Sequence, residues 1–289
     1  MQKVIKIDGG IGRIICAEPA LRKLSTKEDI IVLTSWPDAL QTPHLDKVYW
    51  TGFGDTFNTL IKDNDLISPE PYHNHLYYNE KHHLIQSFDY LLNNNDGALE
   101  KPDLYLTEKE INKGKYLADK LRKGKLLIAF QPFGSTATYK EDNNTVVDPT
   151  HRSLPFHVAY HIVEKLADKC NFINLSNISV FHPSVSNFNN SLRDSFGLVN
   201  ACDYVISIDS LLSHVGYALN KKGMNLTGAT SLVNFGYPHH YYTVSRSDYP
   251  KSKLAFRIHE DNRENKEALN FSEGELTEIL DEFKNLFIG

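Results

Sequence analysis

The sequence predicts an α/β chain built as two doubly wound domains. Short apolar runs of strand type alternate with stretches of helical periodicity, which is the pattern of parallel sheets joined by right-handed crossovers. The alternation opens at Val4–Ile7 and restarts at Leu126–Phe130, after the punctuation Lys123-Gly124-Lys125. The chain has 289 residues, 41% of them hydrophobic, which is more than one ordinary domain needs. The expected division is 1–123 and 124–271, followed by a terminal helix in 272–289.

Each element has a local reason. Val4–Ile7 is an apolar strand ending in Gly9-Gly10-Ile11-Gly12. A helix from about Arg13 to Leu24 places Ile14, Ala17, Leu21 and Leu24 on one face. Ile30–Leu33 is the next strand, with weaker candidates at Lys47–Tyr49 and Leu66–Ile67. A helix over Glu80–Leu92 is stopped by Asn93-Asn94-Asn95-Asp96-Gly97. Thr107 with Glu110 forms a capping box that starts a helix running to about Arg122. In the second half, strand Leu126–Phe130 leads into Gln131-Pro132-Phe133-Gly134-Ser135 and a polar loop over 136–153. Helix 155–168, strand Phe172–Leu175, helix 191–200, strand Tyr204–Ile208, helix 210–220 and a short strand near Met224–Leu226 follow. Ser272 and Glu275 cap an amphipathic helix to Phe287.

Composition excludes several classes. Charged residues at 23% and aromatics at 11% are globular values, not those of a disordered or fibrous chain. The formal net charge is −5, divided as −2 over 1–123 and −3 over 124–289, so neither half is a dedicated polyanion clamp. Cys16, Cys170 and Cys202 sit in or beside apolar runs, which predicts buried free thiols and a reducing compartment. The opening MQKVIKIDGG reads straight into a strand without the pattern of a signal peptide. No apolar run reaches the ~18 residues of a membrane span. The expectation is a soluble, cytoplasmic protein.

Two stretches can carry chemistry. The Gly9–Gly12 turn ends a strand and opens a helix, a geometry that lets backbone N–H groups approach an anion. The dinucleotide spacing is broken, because Ile15 stands where the third glycine belongs, and no P-loop lysine follows. A tight turn lining a cleft and a turn with no ligand role both remain open. The second stretch runs from Asp203 to Leu219 and reads as strand, polar turn and helix. Asp209 or Ser210 is placed to cap that helix, with His214 about one turn in. An anion there would meet backbone donors, a hydroxyl and an imidazole; simple capping and packing are the bland alternative.

Asp209-Ser210-Leu-Leu-Ser213-His214-Val-Gly-Tyr-Ala-Leu219 resembles the D-[ST]-G-x-x-H-x-x-A-A-L signature of the heptosyltransferase-like glycosyltransferases, relatives of the lipopolysaccharide heptosyltransferases. Pro19-Ala20-Leu21 falls in register with that family's first helix. Pro132-Phe133-Gly134-Ser135 resembles its second-domain opening, His151-Arg152-Ser153-Leu154-Pro155 its K-x-W-P element, and Gly228-Ala229-Thr230 its G-x-T turn. The resemblance implies a GT-B architecture, two Rossmann-like domains facing a central cleft, with helix 272–289 returning to the first. It implies a nucleotide-diphosphate sugar as donor substrate, no cofactor and no metal. Ser135, Thr136, Arg152, Asp209, Ser210, His214, Gly228 and Thr230 would line the donor site, with Gly9, Gly10 and Gly12 in the acceptor-side loop. Helix dipoles and Arg152 would steady the leaving diphosphate.

The departures bear on mechanism. Arg13 stands where the family has the acidic residue taken as general base, and guanidinium cannot accept a proton. Asp8 is the nearest substitute, and Arg13 becomes a candidate for binding an anionic acceptor or the diphosphate. Leu211 replaces the signature glycine, and 174–185 offers no match for the nucleotide-binding acid. The pairs His73/His75, His82/His83 and His239/His240 lack partners at zinc spacing. The tyrosine-rich stretches 72–78 and 237–242 could stack a base or sugar, or pack as loop aromatics. The expected acceptor is a saccharide or lipid-linked glycan, or a hydroxymethylated base in phage DNA, the latter suggested by a trimmed look that fits a phage-type enzyme. The competing readings are a non-catalytic nucleotide or sugar binder and a nucleotide-sugar epimerase.

Overall fold

The structure is a computed structural model and describes residues 2–50, 55–62, 64–228, 230–237, 241–245 and 269–289. The chain divides into two compact units, Met1–Tyr105 and Leu106–Gly289.

The first unit contains β1 (Lys3–Ile7), α1 (Ile11–Ser25), β2 (Ile30–Thr34), β3 (Val48–Trp50), α2 (Asp55–Lys62), β4 (Asp65–Ile67), α3 (His75–Tyr78) and α4 (Leu84–Asn93). Its sheet is parallel, in the order β3-β2-β1-β4. β1 and β2 are near-continuous apolar runs because both faces of a parallel sheet are covered. α1 buries more than the single face its periodicity predicts: Ile15, Cys16 and Ala20 are enclosed along with Ile14, Ala17, Leu21 and Leu24. α4 starts later than the sequence suggests. The His83 ring accepts from the Ile85 N–H while Gln86 reaches back, a capping box that a histidine disguises.

The second unit contains α5 (Glu108–Arg122), β5 (Leu126–Gln131), β6 (Thr138–Lys140), β7 (Thr145–Val147), α6 (Phe156–Leu166), β8 (Cys170–Asn174), β9 (Val185–Asn187), α7 (Leu192–Ala201), β10 (Tyr204–Ile208), α8 (Leu211–Ala218), β11 (Lys222–Thr227), α9 (Leu232–Phe235), β12 (Tyr241–Ser245) and α10 (Glu273–Phe283). Its parallel sheet has the order β12-β11-β10-β5-β8-β9. Numbered within the unit, that is the doubly wound order of the dinucleotide-binding folds, with its switch point between β5 and β10. The polar loop expected over 136–153 contains the antiparallel hairpin β6-β7.

Two sequence expectations are corrected. Counting strands and helices assigns α5 to the first domain, but its contacts place it in the second. A Cβ on Gly114 of α5 would collide with the Gly197 carbonyl of α7, so the two helix backbones touch. The Arg193 guanidinium also grips Glu110 with two bonds of 2.7 Å, which holds that carboxyl down at about 2. The terminal helix belongs to the second unit. Leu276, Ile279, Leu280 and Phe283 join Ile128, Phe130 and Phe172 in the core of the second unit. The three cysteines are free and buried, as expected, and burial pushes the Cys170 and Cys202 thiols up to about 12. Among the described residues, no helix is long and apolar enough to cross a membrane.

Candidate functional site

The carboxyl ends of β5 and β10 lie side by side at the switch point, where open α/β sheets bind ligands. Gln131 ends β5, and Asp209 and Ser210 follow β10. Ser210 takes the N-cap position of α8 without a side-chain cap. The capping acceptor comes instead from Gln131, whose Oε1 receives the Leu212 N–H at 2.9 Å and the Ser210 hydroxyl at 2.8 Å. The sequence does not reveal this cap, because capping patterns are local and Gln131 lies on another strand. A small apolar cavity of about 70 Å³ opens beside it, lined by Leu175, Phe196, Val199, Leu211 and Leu212 among others.

Asp209 is only 1% exposed, and neither carboxylate oxygen makes a hydrogen bond of regular geometry. Burial drives its pKa up; the Arg152 charge and the nearby Thr230 hydroxyl oppose that shift but do not cancel it. Thr230 is equally buried, and its Oγ1 approaches the Asp209 carboxylate without forming a hydrogen bond of regular geometry. Gly228 is buried just past β11, and Ala229 lies outside the described residues. His214 is buried against Tyr237, with Nδ1 and the Tyr237 hydroxyl 2.5 Å apart. Tyr237 stacks on Tyr217 at 4.1 Å. Burial, then the Arg152 charge, holds His214 down at about 3, so the ring is neutral at physiological pH. His239 and His240 lie outside the described residues.

Arg152 enters this cluster from the loop after β7. Its guanidinium donates to the Asp209 carbonyl at 3.3 Å, stands 3.9 Å from the Asp209 carboxylate and donates through Nε to the Thr150 hydroxyl at 3.0 Å. The loop itself is organised by Asp148, which is fully buried. Asp148 accepts from the hydroxyls of Thr136, Thr150 and Ser153 and from the N–H groups of Thr150 and Ser153. Burial alone would raise its pKa, but the Ser153 and Thr150 bonds outweigh that and keep the carboxyl below its ordinary value. Ser153 in turn takes the Gly134 N–H at 2.8 Å. His151 adopts a left-handed φ of 54° just before Arg152. Ser135 and Thr136 are exposed, and the Thr136 hydroxyl is committed to Asp148. Asp148 is absent from the sequence-predicted set, although Asp-Pro-Thr is a recognisable turn in which aspartate bonds the backbone two residues on.

In the first unit the glycine turn has the expected form. Gly9 holds φ at +109°, Gly10 is the N-cap of α1, and Gly12 is its second residue. A Cβ on Gly9 would press against the Arg13 side chain at 3.2 Å, so the glycine makes room for that arginine. Arg13 is engaged inside its own unit. It pairs with Glu70 at 3.1 Å, donates to the Pro69 carbonyl at 3.0 Å and lies over the rings of Tyr72 and Phe88. It ties the 69–72 segment to α1. Asp8 lies at the carboxyl end of β1, with its side chain 46% exposed and 2.8 Å from Lys6. The Ser35 hydroxyl approaches it at 3.5 Å. Of the other histidines, His82 meets Asp96 at 2.6 Å, and His83 caps α4. Among the described residues, no three His, Cys, Asp or Glu side chains cluster to hold a metal.

Two parallel sheets, one with polar groups gathered at its switch point, define a doubly wound, Rossmann-like class of fold. Comparison with solved structures is more particular. The chain is similar to Escherichia coli ADP-heptose lipopolysaccharide heptosyltransferase II, at 13% identity over 98% of this chain and 100% of that one, with a TM-score of 0.65. It is similar to a family 9 glycosyl transferase from Veillonella parvula, at 12% identity over 96% and 97% of the two chains, with a TM-score of 0.59. It is also similar to TibC, a dodecameric iron-containing heptosyltransferase solved with ADP-D-β-D-heptose, at 9% identity over 99% of this chain and 77% of that one, with a TM-score of 0.66. No protein-family model and no curated protein sequence matches the chain. The chain has the heptosyltransferase fold.

Proposed function

We propose that the chain is a glycosyltransferase that moves a sugar from a nucleotide-diphosphate sugar to a hydroxyl acceptor. The observation that carries the proposal is the cluster at the β5–β10 switch point. Asp209 and Thr230 are buried with unfilled hydrogen-bonding capacity beside Arg152 and the start of α8. Buried polar atoms without partners are rare and call for a ligand or an ordered water. In this reading the diphosphate accepts from Arg152 and the Thr230 hydroxyl, with Asp209 bordering it. These groups stabilise the charge that develops as the glycosidic C–O bond breaks. Neutral His214, held by Tyr237, borders the same anion without adding charge. An adenine nucleotide is the first to test, given the ADP-heptose named for the similar structures.

Asp8 is the proposed general base, an accessible carboxylate at the end of β1. The proposed acceptor is a saccharide or lipid-linked glycan. The step needs no metal in this account, and activity should survive a chelator. A second reading, a nucleotide-sugar binder without turnover, is favoured by one observation: Arg13 stands where an acid is expected and is tied to Glu70 and Pro69. Release of nucleoside diphosphate from ADP-sugars with a panel of glycan acceptors separates the two. Acceptor-dependent release that is lost in Asp8→Ala supports the transferase; tight nucleotide binding without release in the wild type supports the binder.

A further inference from the structure

The chain has two tryptophans, Trp36 and Trp50, and both are exposed, at 44% and 67%. They belong to the same rim of the first unit. Trp50 ends β3 in register with Thr34, the last residue of β2. Trp36 follows two residues later, its N–H bonded to the Thr34 hydroxyl, and it opens a short 3-10 turn over Pro37–Leu40. Asp8 and Ser35 stand on the same rim, at the ends of β1 and β2. We propose that Trp36 and Trp50, flanked by Ser35 and Asp8, form a stacking platform for an uncharged saccharide at the carboxyl end of the first sheet. This rests on the transferase reading, to which it adds the residues that would hold the acceptor and the acceptor's lack of charge.

The chemistry selects that occupant. An indole face carries negative charge density and attracts the weakly positive C–H face of a pyranose. A carboxylate and a hydroxyl at the ring edge can bond the sugar's own hydroxyls. Charge argues against an anionic ligand. Among the described residues the rim carries Asp8, Asp38 and Glu70 against Lys6 and Arg13, and Lys6 and Arg13 are already paired with Asp8 and Glu70. A phosphorylated or nucleic-acid acceptor would meet a slightly negative surface. The pattern of burial argues against a protein partner. Ala39, Leu40 and Leu45 nearby are buried while Tyr49 beside Trp50 is exposed, so the exposure falls on aromatic rings and not on aliphatic side chains.

Because these are the only indoles in the sequence, intrinsic tryptophan emission reports on this surface alone. The test titrates the full chain with neutral oligosaccharides (gluco-, galacto-, manno- and chito-oligosaccharides) and, separately, with a duplex DNA oligonucleotide. Trp36→Phe and Trp50→Phe assign the signal, and Trp36→Ala and Trp50→Ala remove the platform. The expected result is a saturable blue shift with at least one neutral sugar, weakened about five- to tenfold in each alanine variant. Nucleotide binding, followed by thermal shift, should stay unchanged in both variants. A response to DNA alone, no response to any neutral sugar, or a shift that follows protein concentration without added ligand would overturn the proposal. Failure of the transferase reading would show separately, as loss of nucleotide binding in the wild type with the sugar response intact.

Discussion

Lowering the pH should destabilise the second unit through His214, and His214→Asn should remove that part of the loss. The imidazole is buried against Tyr237 and held at about 3, against an ordinary value of 6.5. Its proton therefore binds the unfolded chain in preference, and the sign follows: stability is full above the ordinary value and falls as the pH drops below it. At about pH 5 the unfolded ring is protonated while the folded ring is not, some 1.5 units below the unfolded pKa, which costs about 2 kcal/mol. For a unit of this size that is a drop of roughly 4–8 °C in Tm. The assay is urea denaturation of wild type and His214→Asn between about pH 7.5 and 5. Asparagine keeps a polar atom near the Tyr237 hydroxyl and cannot titrate, so its curve should lose about 2 kcal/mol less over that interval. Parallel pH slopes for the two proteins would refute the argument.

Other predictions follow from single contacts. Gly114→Ala forces a methyl into the Gly197 carbonyl and should cost about 3 kcal/mol in urea denaturation, since the two helix backbones must separate. Asp148→Ala orphans three hydroxyls and two N–H groups and should cost about 3 kcal/mol. The wild type's share of that stability is present above the ordinary carboxylate pKa and disappears as pH falls through the lower folded value. For Asp209 the folded pKa is raised, so its contribution is greatest at low pH and is lost as pH rises through that value. Asp209→Asn should accordingly raise Tm near neutral pH, with the gain fading in acid. Arg152→Lys should weaken nucleoside diphosphate binding about tenfold by calorimetry, because a single ammonium nitrogen cannot occupy the separate positions from which Nε and Nη1 reach Thr150 and the Asp209 carbonyl while also offering a planar fork to a phosphate.

The parts of the fold written in local periodicity were legible in the sequence. β1, α1, β2, β5, β10 and α8 stand where the apolar patterns place them, because parallel strands and their crossover helices are fixed by short-range alternation. The unit boundary was not legible, since what assigns α5 is a glycine-to-glycine crossing with α7 some 80 residues away. α10 failed for the same reason: an amphipathic face states that it will be buried, not against what. In the site, Asp209, Ser210 and His214 were readable as chemistry-bearing types at a strand end, and Arg152 and Thr230 only through the family resemblance. Gln131 and Asp148 were not, because they act through neighbours brought in by topology and by a folded loop. Arg13 was readable as a departure, but its partners Glu70 and Phe88 appear only in three dimensions.

The measurement that bears most directly on the whole account is calorimetric titration of the chain with ADP, followed by other nucleoside diphosphates, for wild type and Arg152→Ala. The account predicts saturable binding of at least one nucleoside diphosphate by the wild type, weakened tenfold or more, about 1.4 kcal/mol, in the variant. No binding by any nucleoside diphosphate, or equal affinity in the two proteins, would contradict it.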